Sequence, residues 1–403
     1  MIAKQTLALA GVFCALAPAA FAFAQDTWTV FAGGSTHPVL GQRQMLGFGD
    51  HAAGGVAFAR KTERYALGLT LSAEDDGDGL RLDQSFAEVH AGDFAFGVGA
   101  VDRNWSPSRF TSLILSTNAR PFASAYVRKD GFSRFDTPLL SWLGPWSGEI
   151  FLGRTKAEGE DDVNLLGMRF RLQPVEGLEI DLVRVAQYGA GSSSLSDALG
   201  GSSNEGAGSD ANQLAGLGLS YTLPDSVAPL RLYAQAIGED EAGGLPSCFM
   251  YLGGIEGKGQ VLGVPTTVTL EGATTEISES GNGNCGSGTA YNNGAYPAGY
   301  TNHGDVMGLP LDTDSRMVQL QVEHALPQVA VHWSVGWHDI NVTGRDDHRL
   351  SSTAVDGAVA RVGATKTWNG LSVTGDVLYQ SYDLDRADTD RGLGVALRVA
   401  RTF

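Results

Sequence analysis

The chain ends on GLGVALRVARTF, residues 392–403. Odd positions carry Leu393, Val395, Leu397, Val399, Arg401 and Phe403, and even positions carry Gly392, Gly394, Ala396, Arg398, Ala400 and Thr402. A period of two describes a strand with one oily face and one small or polar face. In a soluble sandwich the oily face meets another sheet, whereas in an outer-membrane barrel it meets lipid. A last strand closed by a terminal Phe fits the second case, and the remainder of the sequence decides between them.

The other end reads as a secretory signal over residues 1–24. Lys4 supplies positive charge, LALAGVFCALAPAAFAFA the apolar core, and Ala22-Phe23-Ala24 a small-x-small cleavage pattern. Cys14 lies inside that core and leaves with it. No other stretch reaches 18 uninterrupted apolar residues, so a membrane role requires a barrel rather than a helix. The formal charge is −17 for the whole chain, and it becomes more negative once Lys4 is removed. That balance argues against nucleic acid as a partner. With 54 Gly and only 14 Pro, the composition favours tight turns and small inward-facing residues over disorder.

Two-periodic runs recur along residues 25–403, which read as one barrel domain. Lipid-side faces are expected at Phe94/Phe96/Val98/Ala100, Leu166/Met168/Phe170/Leu172, Leu217/Leu219/Tyr221/Leu223 and Val329/Val331/Trp333/Val335/Trp337. The opposite faces hold Gly97 and Gly99, Arg169 and Arg171, Gln319, Gln321 and Glu323, and His332, Ser334 and His338. A dry core rejects such a set, and a wet lumen accepts it. The pattern predicts strands near 26–35, 53–61, 65–73, 80–90, 94–101 and 112–130 (or only the second half of this last one). Six more fall near 148–156, 164–173, 177–187, 213–223, 229–238 and 248–256. The last six fall near 265–275, 315–326, 328–339, 354–367, 371–383 and 391–403. The expected fold is an all-β, transmembrane, antiparallel outer-membrane barrel of 18 strands, an even number. Connections alternate short and long, which places the termini and short turns in the periplasm and the long loops outside. Asn369-Gly370 is a hairpin turn by its residue types. The segment 131–147 is long although parity makes it periplasmic. Parity also puts Cys248 and Cys285 on the extracellular side of an oxidising compartment, where a disulfide is expected. Two unpaired thiols are the alternative.

Several segments resemble the capsule-assembly Wzi family of outer-membrane proteins. They are SLILSTNARPF at 112–122, TPLLSWLGPWSGEIFLG at 137–153, LLGMRFRLQP at 165–174 and LEIDLVRVAQY at 178–188. ANQLAGLGLSY at 211–221, LYAQAIGEDEAGGLPS at 232–247 and LDTDSRMVQLQV at 311–322 follow in the family's order. The resemblance implies an 18-stranded barrel closed to free flow that acts as a surface lectin, holding capsular polysaccharide on the outer face without catalysis. It also implies a helical periplasmic segment before the barrel, whereas here DTWTVFAGG follows the signal almost directly. DRNWSPSRFT keeps Trp105 alone where a Trp- and Gly-rich stretch is expected, and ATTEISES lacks an expected Cys.

Sugar recognition calls for flat apolar faces and planar polar groups. Loop 102–111 offers Asp102, Arg103, Asn104, Trp105, Arg109 and Phe110. Loop 276–314 offers Asn282, Asn284, Tyr291, Asn292, Asn293, Tyr296, Tyr300, Asn302 and His303. From these, Trp105, Arg109, Phe110, Tyr291, Asn292, Asn293, Tyr296 and Tyr300 are the candidate polysaccharide contacts, with ordinary solvated loops as the alternative. The adjacent carboxylates Glu239, Asp240 and Glu241 repel unless cations are near, and lumen-facing Arg120, Arg169 and Arg171 are candidates for a bracing network. An acidic rim in water is the alternative. EDDGDGLRLD at 74–83 matches a calcium loop only in part and reads as a Gly-rich hairpin. His332 and His338 read as lumen histidines bonded to neighbours. No Gly-x-Ser-x-Gly or H-E-x-x-H motif occurs, and neither a cofactor nor a metal site is indicated. The expected function is therefore a non-enzymatic outer-membrane lectin for capsular or related surface polysaccharide. Outer-membrane lipid and lipopolysaccharide, and the barrel assembly machinery during biogenesis, are its other expected partners. A substrate-selective porin is the first alternative, since 18 strands enclose a conducting width, and a barrel enzyme is the second.

Overall fold

A computed structural model describes residues 26–75, 77, 79–135, 137–157, 162–190, 193–201, 211–242, 245–279, 285–387 and 389–403; side chains at 201, 240–242 and 245–246 are not described. The signal segment 1–24 lies outside the described residues. Apart from a small two-stranded pairing of Thr301–Asn302 with Asp305–Val306, eighteen wall strands run in chain order among the described residues. They are β1 Thr27–Ser35, β2 Ala52–Lys61, β3 Tyr65–Glu74, β4 Phe86–Ala91, β5 Phe94–Ala100 and β6 Ala123–Arg134. Then come β7 Pro145–Thr155, β8 Val163–Leu172, β9 Leu178–Tyr188, β10 Asn212–Thr222, β11 Leu230–Ala242 and β12 Leu245–Val261. The last are β13 Val264–Thr274, β14 Arg316–Ala325, β15 Val329–Ile340, β16 Val355–Trp368, β17 Leu371–Gln380 and β18 Gly392–Thr402.

Each strand pairs antiparallel with its sequence neighbours, and β1 also pairs with β18, closing one 18-stranded sheet. The closing register runs from Thr29 opposite Thr402 to Ser35 opposite Ala396. The terminal residue extends it, because the Phe403 amide donates to the Trp28 carbonyl at 2.8 Å. Lipid-side residues such as Val98, Leu219 and Trp337 stay exposed on the outer wall, as do Leu393, Val395 and Leu397 of the last strand. Short turns gather at one end. Leu262-Gly263 and Asn369-Gly370 both take positive φ at both residues, the primed geometry that suits the right-handed twist of the flanking strands. Long connections gather at the other end.

Two expected strands are shorter than their periodicity suggested. Residues 80–85 do not join β4: Gln84 turns the backbone to φ 67°, and Arg81 bridges back to Ser72. The β3–β4 ladder is therefore only Tyr65–Gly68 against Phe86–Val89. Above it, the Ser85 hydroxyl donates to the Thr70 carbonyl at 3.1 Å and accepts from the Thr70 amide at 2.9 Å. Residues 112–122 form no strand at all, and only the second half of that expected element enters the wall.

A repeated device fixes the register on the lumen side. Glu88, Gly97 and Tyr126 face one another across β4, β5 and β6, and Tyr233, Gly254 and Glu271 do so across β11, β12 and β13. Each tyrosine ring lies over the central glycine and donates its hydroxyl to the carboxylate beyond, at 2.7 Å in both cases. A Cβ at Gly97 would sit 2.5 Å from the Tyr126 ring, and one at Gly254 would sit 2.4 Å from the Tyr233 ring. Only glycine leaves the path open. We expect Gly97→Val to cost about 1–3 kcal/mol through forced displacement of the ring. The control Gly375→Val, where a Cβ meets nothing within 4 Å, should leave stability unchanged. The midpoint of heat-induced loss of the compact band on denaturing gels measures both.

Candidate functional site: lumen plug and loop cap

The connection 101–122 leaves β5 and folds into the barrel. Its SLILS run has three consecutive apolar residues, Leu113, Ile114 and Leu115, which cannot alternate between two faces and which are fully buried. Trp105 is 2% exposed, and its ring packs at 5.3 Å from Phe151 of β7. One wall side chain holds both limbs of the plug. Gln235 of β11 accepts from the Leu113 amide at 3.0 Å and donates to the Trp105 carbonyl at 2.7 Å. Arg103 bonds Glu149 at 2.8 Å and lies 4.4 Å over the Phe151 ring. At the tip, Arg109 bridges Glu256 of β12 and Glu323 of β14, both at 3.0 Å, near the turn end of those strands.

This corrects the expectation for loop 102–111. Trp105, Arg109 and Phe110 are inside the barrel, where Trp105 has no free face to offer a sugar. The apolar run needs burial, and it gains this by packing against wall rings such as Phe151 and the neighbouring side chains within the lumen.

The described residues of the connections 275–315, 341–354 and 381–391 build a cap over the far end. Tyr291 is its central pin. Its ring is fully buried, its backbone is held at φ 61°, and its hydroxyl donates to the Leu113 carbonyl at 2.8 Å while accepting from the Leu309 amide at 3.0 Å. The cap is thereby locked to the plug. Left-handed backbone also occurs at His303, Asp312, Asp314 and Asn341, conformations that non-glycine residues keep only where surrounding bonds impose them. Those bonds are present. Arg349 clamps Asp312, with Nε donating at 2.7 Å, and reaches the Asn292 amide oxygen. Asp314 accepts from Ser287 at 3.0 Å and from the Thr343 amide at 3.1 Å. Asn341 donates to the Arg345 and Ser351 carbonyls at 2.7 and 3.0 Å. The Ser352 amide donates to Asp385 at 2.9 Å, joining the last two loops. Cys248 and Cys285 form a disulfide, as expected, tying the cap to the outer end of β12.

The other expected contacts separate into two groups. Tyr296 and Tyr300 are buried like Tyr291. Tyr300 stacks on Tyr291 at 6.1 Å between ring centres, and the Tyr296 hydroxyl meets Ser193 at 3.1 Å. These rings hold the cap together and present no face outward. Asn292 and Asn293 stay half-buried at its surface, with Asn293 donating to Asn212 at 3.3 Å. Asn282 and Asn284 lie outside the described residues.

The lumen network exists with other carboxylates than those expected. Arg120 bonds Asp83 at 3.1 and 3.2 Å, Arg169 bonds Asp181 at 2.6 Å, and Arg171 sits 3.7 Å from Glu179. Glu239 is buried, and its charge acts on the Tyr291 and Tyr300 hydroxyls. The side chains of Asp240 and Glu241 are outside the described set. His332 bonds Asp376 at 2.6 Å and His338 bonds the Tyr382 hydroxyl at 2.7 Å, as expected of lumen histidines. Among the described residues no cluster has metal-ligand geometry, and Glu74 and Asp83 of the 74–83 stretch are engaged by Arg43, Arg81 and Arg120.

The outward surface of the cap is polar and mostly acidic. Arg345 pairs with Asp347 at 2.6 Å, Arg391 sits 3.3 Å from Asp383, and Asp305, Asp346 and Asp390 are exposed. The hydrogen bond from Arg345 holds the Asp347 carboxyl below its usual range, and the bonds from Ser352 lower Asp385 to about 2. Burial raises the Tyr291 and Tyr300 hydroxyls, so both remain neutral. Asp347 and Asp385, so lowered, keep their charge through mildly acidic conditions. Arg349, Asn341 and His348, which shape the cap with Asp312, belong to no recognisable motif; their one signal in the sequence is the dense polar run NVTGRDDHRLSS at 341–352, whereas Asp312 lies in the family-like segment LDTDSRMVQLQV at 311–322.

We expect Tyr291→Phe to cost about 1–3 kcal/mol, because a buried amide and a buried carbonyl lose their partner. Arg349→Gln should cost more, about 3–5 kcal/mol, by leaving buried Asp312 unpaired. Limited digestion of the folded protein with proteinase K, which needs no basic residue, should then cut within 275–354 while the barrel band survives, since residues 275–315 contain no Lys or Arg. Cys285→Ser, by releasing a closed loop worth roughly 3–4 kcal/mol in a chain-entropy model, should give the same digestion pattern.

The model of the family described as "Capsule assembly protein Wzi" matches residues 30–380. An uncharacterized 55.8 kDa protein in the cps region of Klebsiella pneumoniae is 33% identical over 167 residues, covering 40% of this chain and 33% of that relative. The chain thus spans about a third of that relative's length. Among solved structures, Wzi of Escherichia coli, an outer-membrane protein involved in group 1 capsule assembly and a carbohydrate-binding β-barrel, superposes with TM-score 0.80 at 23% identity. The superposition covers 94% of this chain and 85% of that one. The outer membrane protein OprD of Pseudomonas aeruginosa is more distant, with TM-score 0.53 at 10% identity, covering 94% and 93%.

Proposed function

Starting from the fact that this chain belongs to the capsule assembly Wzi family, we propose that it is a non-enzymatic lectin of the bacterial outer membrane. Its short turns face the periplasm and its cap faces outward, where it holds capsular or related surface polysaccharide. The observation that carries this reading is the cap itself. Loop-to-loop clamps and a disulfide present a fixed polar surface outside, over a lumen that the plug segment crosses. A porin keeps that passage open, and here Tyr291 locks cap to plug across it.

Polysaccharide contact falls to the outward side chains. Asn292, Asn293 and His303 supply hydrogen-bonding groups for hydroxyls, while Arg345, Arg386 and Arg391 supply the positive charge that an acidic polymer needs near so many carboxylates. The rings of Tyr291, Tyr296 and Tyr300 act beneath, by holding this surface in one conformation. Lipid and lipopolysaccharide along the apolar wall, and the barrel assembly machinery acting on the C-terminal strand, complete the partners of this reading.

Deleting the gene tests it. Surface polysaccharide is measured on washed cells and in the medium. Movement from cells to medium with total synthesis unchanged is the expected outcome, and restoring the wild-type chain should reverse it. An unchanged distribution would overturn the proposal.

A further inference from the structure

Beside the plug, a cavity of about 440 Å³ runs through the lumen between the β2–β4 wall and the β14–β17 wall. That volume lies within the roughly 300–1,000 Å³ of small-molecule sites. The cap covers it from outside. From the turn end it is reached by solvent: Lys61, at the lower end of β2, lines it and is exposed, and the plug-tip Arg109 side chain keeps 39% of its surface although it lies inside the barrel.

The polarity of the lining is selective. Three guanidinium groups line the cavity, and each is neutralised by the wall: Arg109 by Glu256 and Glu323, Arg128 by Glu88 and Asp130, Arg361 by Asp376; Lys61 adds a cation only at the solvent-exposed mouth on the turn end. Amides are left to meet a ligand. Gln319 and Gln321 project from alternate positions of β14 and are half-buried, and neither side chain makes a hydrogen bond among the described residues. Gln84, held at φ 67°, faces them from the β3–β4 side with Phe86 beside it. Its amide oxygen accepts from the Asp102 amide at 3.3 Å, which orients the group. Primary amides bond vicinal hydroxyls through donor and acceptor together, and an aromatic ring covers a C–H face. Bound charge would instead have to compete with ion pairs already made.

We propose that this cavity is a second saccharide site, opening to the periplasm, which takes a short uncharged stretch of glycan through Gln319, Gln321 and Gln84. It rests on the polysaccharide-holding function proposed above but uses a different face of the molecule. Loss of the cap's grip would leave it intact.

The test uses the full chain in detergent micelles, with Val359→Cys as a reporter on the cavity wall. Oligosaccharides are prepared by partial hydrolysis of the producing bacterium's own surface polysaccharide and separated into neutral and anionic fractions. The neutral fraction should slow maleimide labelling of the thiol, and the anionic fraction should not. Adding Gln319→Ala and Gln321→Ala should weaken protection about tenfold, the effect of losing two amide contacts. Retention of intact polysaccharide by the same protein should not change. Heat-modifiable gel migration verifies that each variant is a closed barrel. If the neutral fraction gives no protection while intact polysaccharide is still retained, the cavity proposal is wrong and the lectin reading stands. Equal protection by the anionic fraction would overturn the charge argument. Failure of both retention and protection would remove both.

Discussion

A backbone amide or carbonyl that faces lipid has no water to turn to, so every strand of this wall needs a partner on both sides. That constraint forces β18 back onto β1 and makes the sheet a closed ring. Closure in turn sets a lumen width for 18 strands that side chains alone do not fill. The plug and the cap are the answer to that width. The apolar run Leu113–Leu115 and the ring of Trp105 give the interior a small dry core, while paired carboxylates and guanidinium groups satisfy the surrounding wall.

The wall was largely legible because its physics is local. A strand with lipid on one side and a wet lumen on the other must alternate, and Val329–Trp337 or Gly392–Phe403 does so visibly. Asn369-Gly370 announced its turn by residue type. The alternation of short and long connections then gave the count and the placement of Cys248 near Cys285.

What lies inside the ring was not legible, because its partners are distant in sequence. Nothing in DRNWSPSRFT says that Arg109 will meet Glu256 and Glu323, or that Arg120 will choose Asp83 over Glu239. The aromatic rings of the long loop suggested sugar contact by composition. Their burial follows from where the plug passes, since Tyr291 bonds the carbonyl of Leu113. One signal was available: SLILS breaks the period of two with three apolar residues in succession, which neither a lumen-lining strand nor a solvated loop accommodates. Reading that break as a request for burial would have placed the segment inside.

The ladder between β3 and β4 has four residue pairs, whereas β11–β12 and β15–β16 have twelve each. Mechanically, such a hoop is not uniform. Stress from a bilayer thinner or thicker than the apolar wall concentrates where the fewest bonds resist it. The tyrosine-over-glycine contacts stiffen the staves at β4–β6 and β11–β13, so the compliance of the ring gathers at this seam, beside the lumen cavity.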